Sequence, residues 1–136
     1  MFPMRWLDWY GDETLYVLEI GLACCSLEVA AAALAANALP AALPPGARVV
    51  VVVSGTVTDR LAPAVTALVD ACATLTGGPP AVVALGVCAS SGGPYWDSYA
   101  VTKGVDALVP VDVYVPGCPP PPEALQAVLD GLRAAA

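Results

Sequence analysis

The 136-residue sequence contains no histidine, and this absence excludes several classes of enzyme. A Ser-His-Asp triad, a Cys-His protease pair and a zinc or haem site with a histidine ligand all need an imidazole, which this chain does not supply. Chemistry at a site of this chain therefore depends on cysteine thiols, carboxylates, backbone groups or a bound cofactor.

Charged residues are also scarce, and positive charge is scarcest. The sequence has 5 Lys and Arg against 12 Asp and Glu, which gives a net charge of −7. Binding to nucleic acid needs a cluster of cations, so no nucleic-acid partner is expected. Charged residues make up 12% of the chain, against about 25% in an average protein. We therefore expect partner subunits to bury much of the surface of this apolar domain.

The residues show neither a long apolar run nor the pattern expected of a secretory leader. A membrane-spanning helix needs about 20 apolar residues. The longest weakly polar stretch, residues 29–53, is interrupted by Pro40, Pro44, Pro45 and Arg48. The N-terminal sequence MFPMRWLDWYGDE lacks the basic-then-apolar order of a signal peptide. We therefore expect a reducing, cytoplasmic setting, in which the five cysteines act as thiolate ligands rather than in disulfides.

Segments typical of strands and helices alternate along the chain. Three apolar runs predict strands: residues 49–53, 81–86 and 111–115. Three stretches with helical spacing predict helices: residues 25–37, 59–75 and 123–136. The all-valine run 49–53 is typical of a strand buried on both faces of a parallel sheet. This order predicts an α/β fold, an open and mostly parallel sheet flanked by helices.

The first twenty residues differ from the rest in their aromatic and acidic character. Trp6, Trp9 and Tyr10 alternate there with acidic residues. We predict an N-terminal aromatic arm, residues 1–20, which docks a partner or covers the core of a single domain, residues 21–136. Within the arm, the sequence leaves open whether residues 16–20 form a short strand or a helix.

Four of the five cysteines are predicted to meet at one end of the sheet. Ligands of an open parallel sheet gather beyond the carboxyl ends of its strands. Cys88 comes two residues after the predicted second strand, and Cys118 comes three after the third. Cys24 and Cys25 begin the first helix, whose N-terminal end favours thiolate. Cys72, on a face of the second predicted helix, is left out.

The spacing of these four cysteines distinguishes between metals. Structural zinc sites prefer paired ligands about two to four residues apart, whereas this chain has a tandem pair and two distant single cysteines. A tandem pair is also poorly suited to a disulfide. An iron–sulfur cubane takes one thiolate per iron from positions spread around it. The spacing therefore favours a [4Fe–4S] cluster over zinc.

Three segments occur in an order that resembles a known family: GLACCSLE at residues 21–28, GVCASSGG at 86–93 and VPVDVYVPGCPP at 109–120. They resemble the B subunit of NADH:quinone oxidoreductase, respiratory complex I, and the segment SGTVT at 54–58 resembles it too. The resemblance covers residues 21–132. It implies a flavodoxin-like fold similar to the small subunit of nickel–iron hydrogenases, and a [4Fe–4S] cluster held by Cys24, Cys25, Cys88 and Cys118.

The resemblance also implies a role in electron transfer. It implies a subunit, inactive alone, that receives single electrons from another iron–sulfur subunit and passes them to quinone. The implied partners are that iron–sulfur subunit, a hydrogenase-large-subunit-like protein and membrane-arm subunits, on the cytoplasmic side of the inner membrane without a transmembrane helix. Two alternatives stay open: the small subunit of a hydrogenase-like complex, and a cluster-free structural module that serves assembly.

Two carboxylates are further candidates. Glu28 lies three residues after Cys25 in the first turn of the predicted helix. Beside a cluster it would couple proton uptake to reduction or face the quinone, whereas the alternative role is compensation of the helix dipole. Asp112 lies in a largely apolar strand, where a hydrogen-bonded structural role is favoured over a functional one.

Overall fold

A computed structural model of the chain describes residues 4–21, 25–36, 38–40, 46–55, 57–91, 104–115, 117 and 120–134. Its strands are β1 Met4–Asp8, β2 Tyr16–Gly21, β3 Leu39–Pro40, β4 Val49–Ser54, β5 Ala81–Leu85 and β6 Val113–Val115. Its helices are α1 Cys25–Ala36, α2 Ala62–Thr76, α3 Val87–Ser91 and α4 Pro122–Ala134, with a 3-10 turn at Val105–Ala107. The six strands form one sheet in the order β3-β1-β2-β4-β5-β6.

Four neighbouring strands of this sheet are parallel. β2, β4, β5 and β6 pair in parallel, whereas β1 pairs antiparallel with both β2 and β3. All six residues of β4 are buried, as expected for a central strand covered on both faces. The predicted α/β fold, with a mostly parallel sheet flanked by helices, is confirmed.

The two faces of the sheet carry separate core clusters, because successive strand residues point to opposite sides. On one face, Val17, Val50 and Val52 pack with buried residues of α1 and α4. On the other face, Val51 and Val53 pack with buried residues of α2. Helices therefore cover both sides of the sheet.

The N-terminal segment forms two strands of the sheet. Residues 4–8 form β1, and residues 16–21 form β2, which lies between β1 and β4. Trp9 is fully buried, and its indole Nε1 donates a hydrogen bond to Gln126 Oε1 at 2.9 Å. The Asp8 carboxylate accepts hydrogen bonds from the backbone N–H of Gly11 and Glu13, which closes the turn between the strands. Residues 16–20 are therefore a strand, and the segment expected as an arm contributes to the core.

Two side chains of the β1–β2 turn, Tyr10 and Asp12, contact two side chains of helix α4, Asp130 and Arg133. We call these four residues the turn–helix clasp. The Tyr10 hydroxyl donates to Asp130 Oδ1 at 2.6 Å. The Arg133 guanidinium lies 4.0 Å from the centre of the Tyr10 ring and pairs with Asp12 Oδ2 at 2.6 Å. Burial and the bond to Asp130 raise the pKa of Tyr10 to about 12, and the same bond lowers the pKa of Asp130.

Replacing Tyr10 by phenylalanine is expected to raise the pKa of Asp130, because its carboxylate loses a donor. A lowered native pKa stabilises the fold above the carboxyl's unfolded pKa, and this stabilisation is lost as the pH falls through the native pKa. The free energy of unfolding should therefore be higher for wild type than for Tyr10→Phe at neutral pH, and the difference between the two should become smaller as the pH falls. NMR titration of the Asp130 carboxyl measures the shift. The matched control is Tyr114→Phe, which removes the hydroxyl bonded to Asp106 and should leave the pKa of Asp130 as in wild type. An equal pKa of Asp130 in wild type, Tyr10→Phe and Tyr114→Phe would contradict the hydrogen bond from Tyr10 to Asp130.

Strand β6 is shorter than predicted, and Asp112 explains the difference. The expected strand covered residues 111–115, whereas β6 covers Val113–Val115. The Asp112 carboxylate Oδ2 accepts a hydrogen bond from Val82 N at 2.7 Å, and its own N–H donates to Val82 O at 2.9 Å. Asp112 is exposed and ties the entry of β6 to β5.

Candidate functional site

The carboxyl ends of β2, β4, β5 and β6 lie at one edge of the sheet, because these four strands are parallel. We call this edge the ligand edge. Cys25 is the first residue of α1, and residues 22–24 separate it from the end of β2. Cys88 is the second residue of α3, which follows β5 after Gly86. The backbones of these two cysteines therefore belong to segments that follow strand ends at the ligand edge.

A hydrogen bond joins the ends of β5 and β6 at this edge. Gly86 N donates to Val115 O at 2.6 Å. Gly86 precedes Cys88 by two residues, and Val115 precedes Cys118 by three. Gly86 has a φ of +89°, which glycine adopts at little steric cost. This hydrogen bond joins the ends of β5 and β6, after which Cys88 and Cys118 follow in the sequence.

Gly117 is required by a close approach of the chain to itself. Its φ is +143°, and a Cβ at this position would lie 2.6 Å from the Cα of Pro120. No other residue fits there without moving the backbone. The glycine that directly precedes Cys118 in the sequence therefore allows the close approach of Pro120.

The predicted ligands lie partly outside the described residues. Cys24 and Cys118 lie outside them, and of Cys25 and Cys88 the backbone is described but not the side chain. Among the side chains that the structure describes, no group of three or more His, Cys, Asp or Glu is arranged to hold a metal ion. The four-cysteine ligand set remains a prediction, and its donor chemistry suits an iron–sulfur cluster because thiolates are the usual ligands of such clusters. Glu28 is half-buried in the first turn of α1.

Cys72 lies apart from the ligand edge. α2 starts after the carboxyl end of β4 and runs away from this edge, so Cys72, ten residues along, is about 15 Å from the helix start. Its side chain is fully buried in the core cluster on the α2 face. Burial raises the pKa of the Cys72 thiol to about 11. Cys72 therefore behaves as a core residue.

The Cys72 thiol is expected to resist alkylation in the folded chain. The thiolate is the reactive form, and with a pKa of about 11 only roughly one thiol in a thousand is ionised at pH 8. Iodoacetamide should label Cys72 slowly without denaturant and readily in urea, as measured by peptide mass spectrometry. Labelling at equal rates in both conditions would contradict the burial of this side chain.

No helix within the described ranges is both long enough and apolar enough to cross a bilayer.

Sequence comparisons identify relatives over most of the chain. The family model for the NADH ubiquinone oxidoreductase 20 kDa subunit matches residues 17–132. A B subunit of NADH-quinone oxidoreductase from Salinispora tropica is 48% identical over 130 residues, which cover 90% of this chain and 67% of the relative. A B subunit of the same enzyme from Streptomyces griseus is 49% identical over 125 residues, which cover 88% of this chain and 52% of the relative. The chain thus spans about half to two thirds of the length of these relatives.

Two solved structures are similar in fold. A chain in the structure of the membrane-bound sulfane sulfur reductase, an archaeal respiratory membrane complex, matches with a TM-score of 0.56 and 31% identity over 71% of this chain and 51% of that chain. A chain in the crystal structure of an NAD+-reducing [NiFe]-hydrogenase matches with a TM-score of 0.55 and 19% identity over 85% and 86% of the two chains, which shows the fold alone. The resemblance predicted from the three motifs is confirmed, and the chain belongs to the family of the 20 kDa or B subunit of NADH:ubiquinone oxidoreductase.

Proposed function

We propose that this chain is an electron-transfer subunit of an NADH:quinone oxidoreductase-like assembly and holds one [4Fe–4S] cluster. The proposed ligands are Cys24, Cys25, Cys88 and Cys118. The observation that carries the proposal is the ligand edge, where the segments containing these cysteines follow the ends of three parallel strands. When bound, the cluster supplies one-electron chemistry.

The residues of this chain would bind the cluster, keep water away from it and favour thiolate. The residues of β4 are buried throughout, and those of β5 nearly so, which makes the sheet beneath the ligand edge dry. The first turn of α1 begins at Cys25, and the positive end of a helix dipole stabilises a thiolate. Gly86 and Gly117 let the backbone turn closely next to two of the proposed ligands.

We also propose that the electrons pass to quinone within a larger assembly. The relatives are named as B subunits of NADH-quinone oxidoreductase, which supports this acceptor. The exposed face of α1 supports burial by partners: Leu27 and Leu34 are 70% and 80% exposed on a helix whose one charged residue is Glu28. A helix that is apolar on all sides is usually buried.

The proposed partners are a hydrogenase-large-subunit-like protein, a second iron–sulfur subunit and membrane-arm subunits, on the cytoplasmic side of the inner membrane. Purification of the tagged chain from host membranes in mild detergent, followed by mass spectrometry, tests this. These subunits should be retained, and quinone reduction should accompany them. A chain that is recovered alone from intact membranes would contradict the assembly.

We propose that Glu28 couples proton uptake to reduction of the cluster or faces the quinone. Its place in the first turn of α1, three residues after a proposed ligand, supports this role. In Glu28→Gln, the reduction potential should depend less steeply on pH than in wild type. An unchanged pH slope would contradict the coupling of proton uptake to reduction through Glu28.

Iron and sulfide analysis of the anaerobically purified full chain tests the cluster itself. The proposal predicts about four iron atoms and four sulfides per chain, the content of one cubane, with an EPR signal that appears on reduction by dithionite. A chain with native circular dichroism but no iron would instead support the cluster-free structural module.

A further inference from the structure

Helix α3, which carries Cys88, is too short to hold its own position. It spans the five residues Val87–Ser91, and an isolated helix of fewer than about 12 residues is marginal in water. Contacts with the rest of the chain must therefore fix where α3 lies. At its start, Gly86 N donates to Val115 O of β6. Ser90 N and Ser90 Oγ both donate to Gly86 O, at 3.1 and 2.8 Å, which ties the far end of α3 to the same glycine.

Residues 104–107, which we call the brace, lie against α3. The 3-10 turn of the brace contacts this helix. The first residue of the turn, Val105, is fully buried in the core cluster that also contains Ala89 of α3. The second, Asp106, accepts a hydrogen bond at Oδ2 from the Tyr114 hydroxyl of β6 at 3.0 Å. The brace therefore contacts both α3 and β6.

The contact between the brace and α3 leaves no room for a side chain at Gly104. This glycine is buried, and a Cβ at its position would lie 2.5 Å from the carbonyl oxygen of Ser90 and 2.9 Å from Asp106 Oδ1. The Ser90 oxygen belongs to the backbone, so it cannot rotate away as the end of a flexible side chain can. A side chain at position 104 would therefore push α3 away from the brace. The φ of Gly104, +98°, also favours glycine.

We propose that Gly104 is a positioning residue for Cys88: its missing side chain lets the brace hold α3 at the ligand edge in the place that the cluster requires. This inference rests on the proposed function. Because α3 has a single turn, a displacement of Ser90 also moves the backbone of Cys88, two residues earlier. Exposure of a cluster to solvent and hydrogen bonds to its sulfurs set its reduction potential, and both change when a ligand segment moves.

Gly104→Ala in the full chain tests this role, with Gly77→Ala as the matched control. Gly77 also has a positive φ, +81°, but a Cβ there would meet nothing within 4 Å. Both variants are therefore strained, and only Gly104→Ala pushes on α3. After anaerobic loading with iron and sulfide, Gly104→Ala should lose iron to EDTA several-fold faster than wild type and show a shifted potential in an EPR-monitored redox titration. Gly77→Ala should match wild type in both measurements.

The position of α3 is measured separately on the chain before loading, by hydrogen exchange followed by NMR. The Ser90 amide donates to Gly86 O, so it is protected from exchange while α3 is in place. This amide should exchange faster in Gly104→Ala than in wild type and in Gly77→Ala. Equal exchange of the Ser90 amide in the three proteins would overturn the contact between the brace and α3.

If Gly104→Ala does not fold, Val105→Ala takes its place, because it removes a buried side chain from the brace. Its control is Val69→Ala, a buried position of the same core cluster on α2. Folded brace variants with the wild-type rate of iron loss and the wild-type potential would overturn the proposal and leave the cluster assignment intact, as would equal changes in the controls. A wild-type chain that takes up no cluster would instead overturn the proposed function.

Discussion

Replacing Cys88 by alanine is expected to abolish the cluster. Cys88 lies in the first turn of α3, and the segment before it is tied to β6 by the bond from Gly86 to Val115. Because the backbone is fixed there, no neighbouring residue can easily move a replacement ligand into place. The iron content of the anaerobically purified chain should fall from about four atoms to a small fraction of one, and the EPR signal should disappear.

Cys72→Ala is the matched control. It makes the same substitution, cysteine to alanine, at a position away from the ligand edge. Cys72 is buried in the core on the α2 face, so its loss should cost about 1 kcal/mol of stability and leave the iron content unchanged. The reverse pattern, iron lost from Cys72→Ala and retained in Cys88→Ala, would show that the ligand assignment is wrong.

Replacing Trp9 by alanine is expected to cost roughly 3–5 kcal/mol of the free energy of unfolding, the usual cost of deleting a large buried aromatic side chain. Trp9 is fully buried against the core, and its indole N–H bonds to Gln126 on α4. A domain of this size is stable by only about 5–15 kcal/mol. The variant should therefore lose a large share of its free energy of unfolding, which urea denaturation followed by circular dichroism will measure.

Two further variants serve as comparisons for Trp9→Ala. Trp9→Phe keeps most of the ring and loses the hydrogen bond to Gln126, so its cost should be clearly smaller than that of alanine. Trp6→Ala removes a tryptophan that is only partly buried, and its cost should also be smaller. If Trp9→Ala costs less than about 1 kcal/mol, the β1–β2 segment is not part of the cooperative core.

The strands β4, β5 and β6 and the helices α2 and α4 could be predicted because each has one dominant local signal, whereas the five-residue helix α3 was not predicted. The valine run of β4 is too apolar for a surface position, and the prolines and glycines around α2 and α4 mark their ends. The ligand edge followed from the same reasoning, since parallel strands place their carboxyl ends together. The sequence therefore predicted that Cys88 follows the end of a strand, and in the structure it follows β5.

The β1–β2 hairpin was missed because its sequence mixes apolar and charged residues. Glu19 interrupts the apolar pattern of β2, and Arg5 interrupts that of β1, although the two are partners in register. Charges in a strand normally indicate an exposed face, whereas here Glu19 is buried beneath helices. Which face of β2 is buried depends on how the strand pairs with β1 and β4, and strand pairing is not encoded in local periodicity.

Mössbauer spectroscopy of the chain loaded with iron-57 shows whether this small acidic domain holds the proposed [4Fe–4S] cluster. We expect the quadrupole doublets of a single oxidised cubane, which dithionite converts by one electron into a magnetically split spectrum. A spectrum of isolated mononuclear or two-iron sites in a natively folded chain would contradict it.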